Sequence, residues 1–290
     1  MNEHLKRTVS IITVCFNAAE DLEKTIRSVL CQKNCEIEYI IKDGASTDNT
    51  AEMVRQYEPQ LRKLKNFVFI SEKDTGLYDA MNIATKIAKE DYVQFLNSGD
   101  TLVDSDTIAF VERGDFDGDL LYGDMIQVCE GHQMLQKASP DTIENFPNNI
   151  TFSHQALFIR AAVMQELLYD TRYPICADYE FFQRAYACGK RFRYMNRPIC
   201  FFQLGGISYQ KAFDLLDETY DIQRTYGVIT EREYRSAKRN NHWKRISRRL
   251  IPAGWYARAK AWKQRQSTKN WTAVQHMQDD NSTHDQKGIG

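Results

Sequence analysis

The chain has 290 residues, 42% hydrophobic and 12% aromatic, enough for one large α/β domain with an appendage or for two modest domains. Its net charge of −1 is segregated: Arg235 to Trp271 holds 12 Lys and Arg and no Asp or Glu, leaving −13 on the rest. Seven scattered cysteines without a C-x-x-C pair exclude a disulfide framework or a zinc site, and no apolar run suits a membrane span or a cleaved leader, so a reduced, cytoplasmic protein is expected.

In chain order, Val9 to Phe16 is β-branched and continuously apolar, as a central parallel strand covered on both faces must be. Asn17 is the predicted N-cap of a helix with Leu22, Ile26, Val29 and Leu30 on one face. Ile37 to Lys42 reads as a second strand. It ends in the turn cluster Asp43-Gly44-Ala45-Ser46-Thr47-Asp48-Asn49-Thr50, which launches a helix that Pro59 should stop. Phe67 to Ser71 is a third strand, and a helix from about Asp79 follows, with Ala80, Ile83, Ala84, Ile87 and Ala88 on one face. Tyr92 to Leu96 is a fourth buried strand that breaks into Asn97-Ser98-Gly99-Asp100. This alternation predicts an α/β fold built on a doubly wound parallel sheet.

Beyond residue 100 the pattern loosens. Leu120 to Val128 suggests a strand or hairpin, Ser153 to Ile159 a strand, Asp178 to Ala187 a helix, Arg191 to Phe202 a strand pair broken at Pro198, and Asp214 to Tyr226 a helix. The expected organisation is one domain over 8–230, a basic amphipathic helical extension over 231–271, and a polar, disordered tail over 272–290.

Carboxylates stand at four strand ends or in the turns that follow: Glu20 and Asp21, Asp43 and Asp48, Asp74 and Asp79, and Asp100. Singly, each reads as a turn former or helix cap. Together they gather at the carboxyl edge, where open α/β sheets bind ligands. An Asp there can hold a hard divalent cation that bridges the oxygens of a diphosphate. The first strand-to-helix loop, Phe16-Asn17-Ala18-Ala19-Glu20, contains no glycine, which excludes a dinucleotide fingerprint or a Walker loop at the usual place. A nucleotide bound here would be gripped by base and ribose, with its phosphates on a metal.

Several of these stretches resemble glycosyltransferase family 2, inverting enzymes of the GT-A fold that use nucleotide-diphosphate sugars. The matching pieces are Ser10 to Val14 with Asn17, Asp43 to Thr50, Asp74-Thr75-Gly76-Leu77-Tyr78-Asp79-Ala80-Met81-Asn82, and Phe95 to Asp100. His154-Gln155, Ala177 to Glu180 and Gly205 to Ser208 follow in the same order, so the resemblance spans roughly residues 8 to 210. The spellings are similar to a branch found in bacterial exopolysaccharide and O-antigen assembly, including colanic-acid glycosyltransferases. The resemblance implies that Asp43 hydrogen-bonds a uracil ring, that Thr13, Val14 and Asn17 line the base pocket, and that Asp79 and Asn82 lie near the ribose or diphosphate. It implies that Asp100 is the metal ligand, for Mn²⁺ or Mg²⁺. Asn97 and Gly99 stand where many members carry acidic residues, so one protein carboxylate, the donor phosphates and water would hold the ion. Asp178 matches the general base, with Ala177 in place of the usual glutamate. His154 is open to two readings, a sugar or phosphate ligand or an internal structural histidine.

The implied partners are a nucleotide-sugar donor, UDP-linked by the match at Asp43, and a glycan or lipid-linked acceptor. The basic segment places Trp243, Ile246, Leu250 and Ile251 at helical spacing among Lys244, Arg245, Arg248 and Arg249, and Trp255, Ala259 and Trp262 repeat the pattern. Such helices lie at anionic membrane surfaces, so residues 235–271 are expected to hold the protein peripherally on the inner face of the cytoplasmic membrane; packing against the domain is the alternative. Without a recognition motif, no nucleic acid is expected. Two other functions stay open: a nucleotide-sugar-binding scaffold without activity, and a sugar nucleotidylyltransferase, which would want a glycine-rich basic loop after the first strand.

Overall fold

The computed structural model describes residues 7–129, 132–138, 152–206, 210–250 and 272–273. Its first half alternates β1 (Val9–Cys15), α1 (Ala19–Leu30), β2 (Ile37–Asp43), α2 (Thr50–Leu61), β3 (Asn66–Ser71), α3 (Leu77–Thr85) and β4 (Tyr92–Phe95). The four strands are parallel and stand in the order β3-β2-β1-β4, so the winding reverses between β1 and β4. Then come β5 (Thr101–Leu102), α4 (Thr107–Arg113), β6 (Leu120–Cys129), β7 (His132–Gln136) and β8 (Leu157–Arg160). After them follow α5 (Ala161–Leu167), α6 (Ala177–Ala187), β9 (Phe192–Gln203), α7 (Ala212–Thr225), α8 (Glu231–Leu250) and β10 (Thr272–Ala273).

This second half extends the same sheet mostly in antiparallel pairs. β8 pairs with β4, β6 with β8, β7 with β6, and β10 with β7, while β9 lies parallel to β6 and antiparallel to β5. The predicted winding therefore covers the first four strands. Past them the β6–β7 hairpin, and not a helical crossover, builds the sheet outward.

Alternation along β1 shows why both faces are covered. Val9, Ile11 and Cys15 pack with Leu22, Ile26, Val29, Val54 and Ile108 on one side. Ile12 and Val14 pack with Met81, Ala84, Met164 and Phe181 on the other. At roughly 1.5–3 kcal/mol for each large apolar side chain buried, two such layers fix the register of the central strands.

Local departures from the sequence expectations have identifiable causes. Helix α1 begins at Ala19 with no capping bond from a side chain of its own. Its first N–H groups are met from the neighbouring loop, Ala18 N by Thr50 Oγ1 at 3.0 Å and Ala19 N by Asp48 at 3.4 Å. Asn17, expected as the cap, sits in the left-handed region at φ 50° and accepts from Thr47 N at 2.8 Å. Helix α2 runs past Pro59 to the fully buried Leu61, because a proline in the last turn removes one bond only, to the exposed Arg55. The expected break at Pro198 is a kink within one long strand: Asn196 is left-handed at φ 51° and the β6–β9 register shifts around Asp124. A Cβ on Gly123 would come within 2.5 Å of Arg197 O, so only glycine lets the two strands pass there.

Helix α8 packs on an acidic face of α7. The buried Asn241 donates to Phe213 O at 2.9 Å and to Asp217 at 2.8 Å, Arg245 reaches Asp214 and Asp217, and Lys238 reaches Asp221. Thus the first part of the basic segment folds back on the domain. The second part, with Trp255 and Trp262, and the expected disordered tail lie outside the described residues, apart from Thr272 and Ala273. Among the described residues no helix is long and apolar enough to cross a membrane.

Candidate active site

The reversal between β1 and β4 separates the two loops that leave their carboxyl ends, and a ligand crevice is expected there. A cavity of about 700 Å³ opens at that point. Val14, Cys15, Phe16 and Ala18 line it from the β1 end, and Asn97, Ser98 and Asp100 from the β4 end. Asp74, Gly76, Leu77 and Tyr78 contribute to one wall, Ser153, His154 and Gln155 to another, and Asp178, Phe202 and Gln203 also line it. Three of the sequence-predicted residues, Val14, Asp100 and Asp178, therefore meet in one cavity.

Asp100 is delivered by a tight turn: Asp100 N donates to Asn97 O at 3.0 Å, and Gly99 between them holds φ 96°, which suits glycine. Its carboxylate is buried at 4% exposure and accepts from Gln203 N at 3.2 Å and from the Gln155 side chain. Burial pushes its pKa up to about 7, against the pull of those bonds. Among the described residues no three His, Cys, Asp or Glu side chains gather where they could hold a metal. A cation here would have Asp100 as its one carboxylate ligand. A buried carboxylate with no ion pair among the described residues fits a hard divalent ion whose remaining positions would be filled by phosphate and water.

Asp178 opens the N-terminal turn of α6. Its Oδ1 accepts from the Tyr78 hydroxyl at 3.0 Å and Tyr179 N at 2.9 Å, and its Oδ2 faces His154 Nδ1 at 2.9 Å. Burial alone would raise its pKa, but His154, Tyr78 and Tyr179 together hold it below the ordinary carboxylate value. The side chain stays 25% exposed toward the cavity. Beneath it, Glu218 of α7 accepts from Ile175 N and Cys176 N, both at 2.9 Å, holding the N-cap residue and the one before it at the start of a helix that has no capping side chain of its own.

The other predicted residues lie outside the lining. Thr13 spends its hydroxyl inside the sheet, against Leu96 O at 2.7 Å and Tyr39 at 3.0 Å. Asp43 is fully buried; Ser46 N spans both its oxygens and Ser46 Oγ, Ser71 Oγ and Cys15 Sγ also donate to it, so a base N–H reaching it would displace one of these donors. Asn17 holds the 44–50 loop through Thr47, as described above. Asp79 reaches back to Thr75 N at 2.9 Å and Oγ1 at 2.8 Å, bonds that hold its pKa down. Asn82 clasps Tyr169, donating to its carbonyl and accepting from its N–H, each at 2.8 Å. These five side chains shape the walls from behind.

Sequence reading did not single out Phe16, which lines the cavity while 62% exposed. An aromatic directly after a buried strand was the available signal. It also passed over Lys42, fully buried in β2, whose Nζ donates to Asp43 O at 2.9 Å, Glu72 O at 2.6 Å and Asp74 Oδ2 at 2.9 Å. All three ammonium protons are satisfied, and Asp74 is anchored in the wall.

Comparison with known proteins decides the family. The family model described as Glycosyl transferase family 2 matches residues 10–165. The chain belongs to glycosyl transferase family 2. A PGL/p-HBAD biosynthesis glycosyltransferase of Mycobacterium bovis is 30% identical over 205 residues, which are 69% of this chain and 78% of the relative. The putative teichuronic acid biosynthesis glycosyltransferase TuaG of Bacillus subtilis is 39% identical over 95 residues, 33% of this chain and 37% of TuaG. Among solved structures, S. aureus TarS 1–349 in complex with UDP-GlcNAc superposes with a TM-score of 0.58 at 18% identity, over 82% of this chain and 73% of that one. The mannosyltransferase PcManGT of Pyrobaculum calidifontis, in complex with GDP-Man and Mn²⁺, gives 0.61 at 14% identity, over 89% and 80%. The family 2 chain thus has the GT-A fold, and family membership makes it a glycosyltransferase.

Proposed function

We propose that the protein is an inverting, metal-dependent glycosyltransferase that moves a sugar from a UDP-sugar to a hydroxyl of a glycan or lipid-linked acceptor in bacterial surface-polysaccharide biosynthesis. The observation that carries this is the meeting of Asp100 and Asp178, from unrelated elements, in one cavity at the reversal point of the sheet. The relatives' roles in PGL/p-HBAD and teichuronic acid biosynthesis support the acceptor class.

In this reading the acceptor oxygen attacks the anomeric carbon, the carbon–oxygen bond to the diphosphate breaks, and the diphosphate leaves with the bonding pair. The hydroxyl proton passes to Asp178. A carboxylate offers about four lone-pair sites, and Tyr78, Tyr179 and His154 occupy three, so the remaining site, on Oδ2, takes the proton. No covalent intermediate intervenes, so the centre inverts. Mg²⁺ or Mn²⁺ held by Asp100, when bound, offsets the charge of the leaving nucleoside diphosphate. Phe16 and Val14 face the base, while Thr13, Asn17, Asp43, Asp79 and Asn82 frame the pocket. Transfer is measured with UDP-, GDP- and dTDP-sugars in Mn²⁺ against lipid-linked acceptors. Asp178→Asn should lower turnover about 10²- to 10⁴-fold while UDP binding persists. Wild-type inactivity across all donors and acceptors favours the scaffold reading instead.

Peripheral membrane association belongs to the same proposal. Opposite its α7 contacts, α8 exposes Arg232, Arg239 and Lys244 on the side of Trp243, which is 62% exposed. A basic helix face with a tryptophan suits the inner, anionic leaflet. Flotation with anionic but not neutral liposomes, weakened in Trp243→Ala/Arg239→Glu, is the expected result; equal flotation of both proteins removes this part.

A further inference from the structure

Asn97 opens the turn that ends in the proposed metal ligand, and by sequence it reads as a metal-motif position that has lost its acid. The structure gives it another partner. Its Nδ2 lies 3.0 Å from His154 Nε2, and His154 Nδ1 lies 2.9 Å from Asp178 Oδ2. An amide NH₂ only donates and an ionised carboxylate only accepts. The geometry therefore assigns one arrangement to the imidazole between them: Nε2 accepts from Asn97, and Nδ1 carries the proton that Asp178 receives.

We propose that Asn97 and His154 are positioning residues for Asp178, a hydrogen-bonded relay that runs from the turn after β4 to the first turn of α6 and fixes the rotamer of the base. The inference rests on the reading of Asp178 as the base. His154 is itself ruled out as the base, because both of its ring nitrogens are engaged and its side chain is only 9% exposed. The backbone beneath Asp178 is already held: Glu218 binds the N–H groups of Ile175 and Cys176, and the Tyr78 hydroxyl is shared between Ile175 O at 2.9 Å and Asp178 Oδ1. Tyr78 and Tyr179 N hold Oδ1, and His154 completes the restraint by holding Oδ2 beside the site open to the acceptor. A displacement of about 1 Å at a reacting group costs on the order of 100-fold in rate, so two neutral side chains suffice to control turnover.

The relay also explains why an acid at position 97 would be unsuited to this chain. A carboxylate there could only accept, so it would draw a proton onto Nε2 and either take Nδ1–H from Asp178 or make the ring a cation. The amide Oδ1 of Asn97 is buried without a partner among the described residues, so the side chain's one internal bond is the donation to His154.

The test combines kinetics with a spectroscopic signature. In ¹⁵N-histidine-labelled wild type, His154 should show a pyrrole-type Nδ1 and a pyridine-type Nε2; pyrrole-type signals at both nitrogens overturn the assignment. His154→Ala and Asn97→Asp should each lower kcat about 100-fold with the donor KM and the thermal shift by UDP plus Mn²⁺ unchanged. That unchanged shift also certifies folding. His154→Asn, whose amide NH₂ falls where Nδ1 was, should recover at least ten-fold over His154→Ala. If Asn97→Asp instead tightens Mn²⁺ binding and keeps or raises kcat, position 97 is a degenerate metal ligand and the relay is wrong. An active Asp178→Asn overturns the base assignment and the relay with it. A dead Asp178→Asn beside a fully active His154→Ala overturns the relay alone.

Discussion

Replacing Asp100 by Asn should make the protein more stable, and increasingly so as the pH rises. Asp100 is 4% exposed and burial is the largest influence on its pKa, which stands at about 7 against an unfolded value near 3.9. The folded state therefore binds this proton more tightly than the unfolded chain does. A group with a raised acid pKa leaves stability intact below its unfolded value and loses it progressively as pH climbs to the folded value. At 1.36 kcal/mol per unit, the gap of about 3 units corresponds to a penalty of roughly 4 kcal/mol above pH 8, and roughly 2 kcal/mol at pH 5.5. Urea denaturation of both proteins in EDTA at pH 5.5 and 8.5 reads the difference. The stability advantage of Asp100→Asn should widen by about 2 kcal/mol over that range. Adding Mn²⁺ to the UDP-bound proteins at pH 8.5 should stabilise the wild type further and leave the variant where UDP alone puts it. Parallel pH dependence in the two proteins would refute the account of a carboxylate stored in a dry site for a cation. The same proton competes with the metal, so apparent Mn²⁺ affinity should weaken about ten-fold per unit below pH 7.

Three other changes separate binding from framework. Phe16→Ala should leave stability within about 0.5 kcal/mol, because the ring is exposed, yet weaken UDP about 10- to 100-fold by calorimetry if the ring stacks on the base; an unchanged affinity removes Phe16 from the pocket. Lys42→Met leaves Asp74 without its buried cation and should cost about 3–5 kcal/mol in denaturation, with Lys42→Met/Asp74→Asn recovering part of it; a loss below about 1 kcal/mol means the pair is solvated. Asn241→Ala strips two donated bonds from the buried seam between α7 and α8 and should cost about 1–3 kcal/mol, seen as earlier protease cleavage in α8 than in the rest of the chain.

Much of this arrangement was readable from local pattern. Continuous β-branched runs announce the buried parallel strands, because a strand covered on both faces has no polar alternation to hide. Turn clusters at Asp43, Asp74 and Asn97 mark strand ends because Gly, Asn and Asp tolerate the backbone that a sharp exit requires. Motif order sufficed to name the family. Where the reading fell short, the partner came from a distant segment: Asn17 lost its capping role to Thr50 and Asp48, and the kink at Pro198 was absorbed by a register shift opposite Gly123.

Which carboxylates line the cavity is a separate matter: the family resemblance pointed to Asp43, Asp79, Asp100 and Asp178 alike, and local pattern could not sort them. Asp43, Asp79 and Asp100 share the same composition of surroundings, yet Asp43 turns into Ser46 and Ser71, Asp79 back to Thr75, and only Asp100 lines the cavity. Its neighbours there come from residues about 50 and 100 positions away, Gln155 and Gln203, so no window along the chain contains the information. The same holds for His154 and Asp178, brought together by the pairing of β8 with β4 and the docking of α6. Periodicity and turn chemistry act over a few residues and are written into the chain. The chemistry of a buried charge depends on what desolvates it and what donates to it, and folding alone assembles those groups.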